Sequence, residues 1–338
     1  MKILGLDIGG ANIKATLVKK KGVKHKIVWS KTIPLELYRD RDRLAPELAS
    51  IKNEAKAEAV ALTMTGELCD CFVDRDDGVR WIMRQVNGVF REEPVKLINS
   101  DGEMISPSKA QLLPGSVASA NWAATVHWAA QNGLDKGVVV DIGSTTTDIL
   151  PVKKGKPAVR GRNDTSRSME GELVYTGVLR THAAIAAPRI AVRGMEMDSC
   201  PEYFAITADA HLLLGDITES EYTCPTPDGG PKTKKASAKR LCRMALADLR
   251  ELGMGQAAKI AKRISDNQKE RLADAAERIA NREKFGKKAE LLIIGSGAGV
   301  YGKAIEKRLE MKPLAKLGGI KADQISPAAC VAMLWPRS

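Results

Sequence analysis

The stretch Val138–Val152, VVVDIGSTTTDILPV, decides the fold, because the chain has already opened on the same pattern in Lys2–Val18, KILGLDIGGANIKATLV. In each, an apolar run ends in Asp-Ile-Gly, a turn of small residues follows, and a second strand returns. A continuous apolar run bounded by turn residues is the pattern of a buried strand. The glycines remove Cβ atoms, so backbone N–H groups can approach an anion closely. The hydroxyls of Ser144, Thr145, Thr146 and Thr147 can donate to phosphate oxygens. Asp7, Asp141 and Asp148 would repel phosphate unless a divalent cation lies between them. Mg²⁺, which keeps several waters and takes few carboxylates, suits that place. Asp7 and Asp141 lie 134 residues apart, the interval of a duplicated domain and not of a solenoid repeat.

The rest of the chain is in keeping with two such domains. Its 338 residues suffice for about two cores. No apolar run approaches the roughly 20 residues of a membrane span. The opening MKILGLDIGG meets an acid and glycines at once, so it is not read as a secretory leader, and the expected compartment is the cytoplasm. Six scattered cysteines read as reduced thiols; Cys69-Asp70-Cys71 has neither a zinc-knuckle nor a thioredoxin spacing. The net charge of +12 concentrates in two local runs, Lys19–Lys26 and Lys232–Arg240. No aromatic residue interleaves them, so base-stacking platforms, and with them nucleic acid, are not expected. They read as a solvated hairpin turn and the exposed start of a helix.

Along the chain, Ile13–Lys19 and Val23–Ile33 continue the first strand as an antiparallel series. Helices are predicted over Arg41–Ala55, Ser116–Gln131, about Met169–Ala187, Glu202–Leu214, Lys235–Leu252 and Gln256–Arg282. Short strands are predicted at Ala59–Met64, Val95–Asn99 and Leu291–Ile294. The last runs into Gly295–Gly299, GSGAG, and a helix. Such a loop can pass flat against a nucleotide or other ring, and the helix start offers positive dipole to an anion.

These three elements in this order resemble the acetate kinase, sugar kinase, heat-shock chaperone and actin superfamily. The resemblance implies an α/β chain of two ribonuclease-H-like domains facing each other across a cleft. Residues 1–134 and 135–338 would form them, and the segment Pro327–Trp335 would be free to pack back on the first. It assigns phosphate to the hairpins around Gly9, Gly10 and Asn12 and around Gly143, Ser144, Thr145 and Thr146, gripping from opposite sides. Gly295 and Gly297 match its adenosine loop, and Asp7, Asp141 and Asp148 would serve the metal. Many sugar kinases of this superfamily place a catalytic Asp shortly before the second phosphate loop. Here that place is held by Val117–Trp122, VASANW, with Ser119 where the carboxylate would stand. Serine cannot serve as a base near neutral pH, which counts against an ordinary hydroxyl kinase.

Three further segments are dense in polar groups: Met64–Asp70 with Glu67 and Asp70, Met169–His182 with Glu172 and His182, and Thr207–Gly230 with Asp209, His211 and Asp228. Together with DIGGANIKA and DIGSTTTDI, they resemble the methanofuran-biosynthesis synthases, a narrow family grouped with hydantoinase/oxoprolinase-like and tetrahydromethanopterin-linked one-carbon proteins. The resemblance implies a transferase that joins an aminomethyl-furan-methyl diphosphate to the phenol oxygen of γ-glutamyl-tyramine, or of a tyrosine analogue, and releases pyrophosphate. A phenol, with a pKa of about 10, needs a nearby base, and Glu67, Glu172 and His182 are candidates among which the sequence does not choose. The expected partners are small molecules carrying diphosphate, with no nucleic acid and no membrane; a homo-oligomer stays open. In this reading ATP use is doubtful. The alternative is an ATP-dependent small-molecule kinase or hydantoinase/oxoprolinase-like enzyme of the same superfamily.

Overall fold

The computed structural model describes residues 1–22 and 24–336. Val23, expected to start the third strand, lies outside them. The chain begins with β1 (Lys2–Gly9), β2 (Asn12–Lys21), β3 (Lys24–Pro34), α1 (Leu44–Ala55), β4 (Ala59–Thr65) and α2 (Arg75–Val89). Next come β5 (Val95–Ile98), β6 (Met104–Ile105), α3 (Pro107–Leu112) and α4 (Asn121–Gln131). The pattern then restarts with β7 (Lys136–Ile142), β8 (Thr147–Lys153), β9 (Lys156–Pro157), α5 (Asp164–Met169), β10 (Leu173–Val174) and α6 (Ala183–Ala186). After β11 (Arg189–Val192) and β12 (Met195–Asp198) come α7 (Thr207–Leu214), α8 (Lys234–Arg243) and α9 (Leu249–Arg282). The order closes with β13 (Glu290–Ile294), α10 (Ala298–Leu309), β14 (Lys312–Pro313), β15 (Lys316–Leu317), β16 (Ile320–Lys321) and α11 (Pro327–Met333).

The chain forms two compact units. Met1–Gly137, Leu150–Met169 and the segment from Leu314 make the first; Val138–Ile149 and Glu170–Pro313 make the second. This division differs from a single cut after residue 134, because residues 150–169 and the C-terminal segment belong to the first unit.

In the first unit the sheet order is β3-β2-β1-β4-β5-β6. Strand β1 pairs antiparallel with β2 and parallel with β4, and its register sets Asp7 beside Lys14 on one side and Thr63 on the other. Its interior residues are buried on both faces, as the unbroken apolar run requires. Strand β3 instead alternates, with exposed lysines along the sheet edge, a pattern that discourages edge-to-edge pairing. Helix α11, buried throughout, packs on β1, β2, β4 and α4. It approaches so closely that a Cβ on Gly5 would stand 1.8 Å from the Ala328 carbonyl oxygen.

In the second unit the sheet order is β10-β8-β7-β13-β14. Helices α7, α8 and α10 pack against α9, which is interrupted at Gly253 near its start. A buried ion pair ties two of them together. Arg240 of α8 meets Asp209 of α7 at 2.7 Å, and both are fully buried. Ser237 and Tyr222 donate to the same Asp209 oxygen, and Asp228 takes another Arg240 nitrogen at 3.0 Å. The polar density of Thr207–Gly230 therefore goes into packing.

Several helix boundaries differ from the sequence expectation; the predicted Glu202–Leu214 helix, for one, begins only at Thr207. The predicted Met169–Ala187 helix is mostly absent: Leu173 and Val174 instead extend the sheet against Thr147 and Asp148. The predicted Lys235–Leu252 helix is two helices, because Asp248 and Glu251 form a capping box that starts α9 afresh. The predicted Ser116–Gln131 helix begins only at Asn121, since Ser119 sits in the left-handed region with φ 47°. Helix α2 was not foreseen, although Asp74 caps it and Val79, Ile82, Met83 and Val86 make its buried stripe.

Removing Asp209 leaves Arg240 as an uncompensated buried charge. We expect Asp209→Ala to cost about 3–5 kcal/mol, read as a lower denaturant midpoint. The double change with Arg240→Met recovers much of that loss, because the stranded charge is gone.

Candidate active site

The first unit builds its site where β1 and β4 end side by side. The loop leaving β4 carries Glu67, whose side chain has no exposure to water. Helix α2 seats directly on its backbone: a Cβ on Gly78 would stand 2.0 Å from the Glu67 carbonyl oxygen. The Ser119 hydroxyl lies 2.7 Å from Glu67 Oε1 and 2.8 Å from Asp164 Oδ2. Two carboxyl groups are thus bridged by one serine. Three separate stretches supply these groups, and one further contact joins two of the stretches. Arg167 of α5 stacks over the Trp122 ring of α4 at 4.8 Å, both buried. Ser119 holds positive φ, which for a non-glycine residue costs of order 1–3 kcal/mol and persists only where the surroundings demand it.

Burial pushes the Glu67 carboxyl up to about 7, and the neighbouring Asp164 charge adds to the rise. The Ser119 hydrogen bond and Arg75 act in the other direction and do not cancel it. A carboxyl with this value is poised for proton transfer near neutral pH. Beside it, the Cys69 thiol faces Gly10 of the first hairpin and is pushed up to about 11, again mainly by burial. Asp7 Oδ2 lies 3.4 Å from the Lys14 ammonium.

In the second unit the turn Gly143–Thr146 closes on itself, Gly143 N–H donating to the Thr146 carbonyl at 2.8 Å. The backbone N–H groups of Val178, Leu179 and Arg180 donate to the carbonyls of Gly143 and Ser144. The segment TGVLRTH therefore clamps the hairpin and leaves Ser144, Thr145 and Thr146 half-buried. Gly297 N–H bonds the Ile142 carbonyl at 2.9 Å, which places the GSGAG loop against the end of β7, next to Asp141. A chain of buried hydrogen bonds backs this arrangement. Thr147 donates to the Thr176 carbonyl, Gln268 donates to the Thr176 hydroxyl and the Gly177 carbonyl, and Gln268 also meets Tyr301 and His211.

The chain matches the hydantoinase/oxoprolinase family model over residues 58–320. It is 34% identical over 305 residues to the (4-{4-[2-(gamma-L-glutamylamino)ethyl]phenoxymethyl}furan-2-yl)methanamine synthase of Methanocaldococcus jannaschii, covering 90% of this chain and 89% of that one. The chain belongs to this synthase family. A second relative of the same name, from Methanococcus vannielii, is 34% identical over 182 residues, covering 54% of this chain and 80% of its own. Among solved structures, a nucleotide-free acetone carboxylase superposes with a TM-score of 0.58 at 11% identity, covering 92% of this chain and 68% of that one. That likeness shows the α/β, actin-like fold and nothing of the chemistry.

In this member of the synthase family, the catalytic candidates fare differently. Glu67 has the surroundings of a proton-transfer group. Glu172 is fully buried, but its carboxylate is held by Arg282 at 2.7 Å and its backbone carbonyl by Ile149. His182 caps α6, its Nδ1 accepting from Ala184 N–H, and burial lowers its basicity. Both lie in the second unit, each with a hydrogen-bond partner of its own. Asp164, Arg75 and the bridging role of Ser119 were not foreseen. Nothing in the spacing of residues 67, 119 and 164 could announce the bridge, although a serine in the place of a kinase carboxylate was the clue to look there. Among the described residues, no three His, Cys, Asp or Glu side chains group to hold a metal, and no helix is long and apolar enough to cross a membrane.

The raised Glu67 carboxyl makes stability depend on pH with a defined sign. The folded chain holds this proton more tightly than the unfolded one. The contribution is therefore complete below 4.5 and is lost as pH rises through about 7. The displacement corresponds to about 3 kcal/mol. Glu67→Gln should flatten the stability profile between these values and leave the variant the more stable protein at pH 8, as measured by thermal unfolding across pH.

Proposed function

We propose that this protein joins an aminomethyl-furan-methyl diphosphate to the phenol oxygen of γ-glutamyl-tyramine, or of a tyrosine analogue, and releases pyrophosphate. The observation that carries this reading is the 34% identity to a named synthase along nine-tenths of the chain. The C–O bond to diphosphate breaks with its electron pair leaving on oxygen, helped by the furan, which delocalises the cation left behind. The phenol oxygen forms the new C–O bond, and its proton passes to a carboxylate of the Glu67–Ser119–Asp164 group.

The departing oxygens need donors already in place. Gly9, Gly10 and Asn12 in one unit, and Gly143, Ser144, Thr145, Thr146, Gly295 and Gly297 in the other, are the groups assigned to that task. Asp7, Asp141 and Asp148 are buried at strand ends and carry carboxylates beside these turns. They are the residues that would hold Mg²⁺, by one or two carboxylates with diphosphate and water completing its shell; among the described residues no three acids group into a cage built by protein alone. Bound there, the ion would neutralise charge on the leaving group. ATP has no part in this reaction.

Purified protein incubated with Mg²⁺, the furylmethyl diphosphate and the acceptor should give the ether and one equivalent of pyrophosphate without ATP, as read by mass spectrometry and a pyrophosphate assay. ADP or AMP formed in a parallel tube holding ATP and acceptor, with no ether in the first, would instead support the ATP-dependent alternative. Thr145→Val should raise the KM for the diphosphate about 10- to 100-fold, the loss of one hydrogen bond to a charged group.

A further inference from the structure

We infer that Asp164 is the carboxylate that takes the acceptor's proton, and that Glu67 and Ser119 hold it in place through a hydrogen-bond chain running outward from Glu67. This rests on the transferase reading and assigns the base within it. The argument begins with one hydrogen. Ser119 Oγ lies 2.7 Å from one carboxyl oxygen and 2.8 Å from another, yet a hydroxyl has a single proton to donate. Both contacts are full hydrogen bonds when one of them is donated by a carboxyl group that is itself protonated.

The two carboxyls are not equivalent. Glu67 is wholly buried, and its second oxygen, Oε2, has no hydrogen-bond partner among the described residues. A charge there would be expensive. Asp164 is only half-buried and reaches water. The proton therefore sits on Glu67 Oε1 and is donated to Ser119 Oγ, and Ser119 donates its own hydrogen to Asp164 Oδ2. Asp164 accepts that bond at Oδ2 and is left with Oδ1 for a substrate. The charged and titratable groups around Glu67 are consistent with this order. Arg75 favours its charged form, the neighbouring Asp164 opposes it, and burial outweighs Arg75. When the phenol O–H bond breaks, the proton goes to Asp164 Oδ1 and the oxygen's electron pair forms the ether bond. Ser119 and Glu67 are positioning residues: they act on the acceptor only through Asp164.

The test compares Asp164→Asn, Asp164→Glu and Glu67→Gln by kcat, KM and pH profile in the ether-forming assay. Asp164→Asn should lose about 10²–10⁴-fold in kcat with KM little changed, and Asp164→Glu should restore part of it. Glu67→Gln, which imitates the protonated acid, should lose no more than about tenfold, one hydrogen bond's worth, and should abolish the fall in rate above neutral pH. The reverse pattern, with Glu67→Gln the crippled variant and Asp164→Asn the mild one, overturns the assignment and makes Glu67 the base. Infrared difference spectra of wild type and Glu67→Gln supply a readout independent of turnover. A protonated-carboxyl band at neutral pH that the variant lacks supports the chain, and no such band overturns it. If wild type forms no ether at all, the transferase reading fails; the infrared result still decides the direction of the hydrogen-bond chain.

Discussion

The arrangement of the first unit turns on a carboxyl group that cannot reach water. Glu67 leaves the end of β4 into a space closed by α2, whose Gly78 lies flat against its backbone. A buried acid needs either a cation or hydrogen bonds that suit its neutral form. Arg75 is close but does not prevail, and the partner supplied at bonding distance is a serine. That choice sets the rest. Ser119 must turn back on itself with positive φ to reach inward, so α4 cannot start before Asn121. Asp164 must come from beyond the second hairpin, and Arg167 anchors its helix on Trp122. It follows that residues 150–169 pack with the first unit although they come after the repeat begins.

The two Asp-Ile-Gly hairpins, alike in sequence, are stabilised differently. The first is covered by the loop that carries Glu67, with Gly66 against Gly9 and Cys69 against Gly10. The second is held by backbone N–H groups of the TGVLRTH segment, backed by Gln268, Tyr301 and the buried His211. Buried networks of this kind are costly when incomplete and rigid when satisfied. A hairpin meant to offer several donors to an anion benefits from that rigidity, because donors already in place need no reorganisation when charge develops.

What could be read from the sequence follows from how local each signal is. The strands, the turns and the duplication rest on contiguous patterns, and they came through with small shifts at their ends. The capping box at Asp248 and Glu251 was equally local and would have split the Lys235–Leu252 prediction had it been given its weight. The stretch Met169–Ala187 misled because its apolar residues serve a strand and tight turns, which short windows do not separate from a helix. Glu67 stands out in the sequence because it sits in a loop after a buried strand. Asp164 does not, because its contact with Ser119 depends on the chain folding back over 45 positions. Glu172 and His182 looked alike to Glu67 in sequence and differ only in their neighbours, an arginine and a helix N-terminus.

The serine at residue 119 first counted against a phosphoryl-transfer enzyme, since it stands where such enzymes place a base. In the structure a carboxylate, that of Asp164, stands 2.8 Å from this serine. Asp164 reaches the same serine from another helix and meets a second acid there. A kinase needs its base beside an alcohol whose proton is held tightly. A phenol gives up its proton more readily, and a cation generated by departing diphosphate needs little help from the nucleophile. In the proposed transferase, a half-buried carboxylate beside a buried acid suffices for that task.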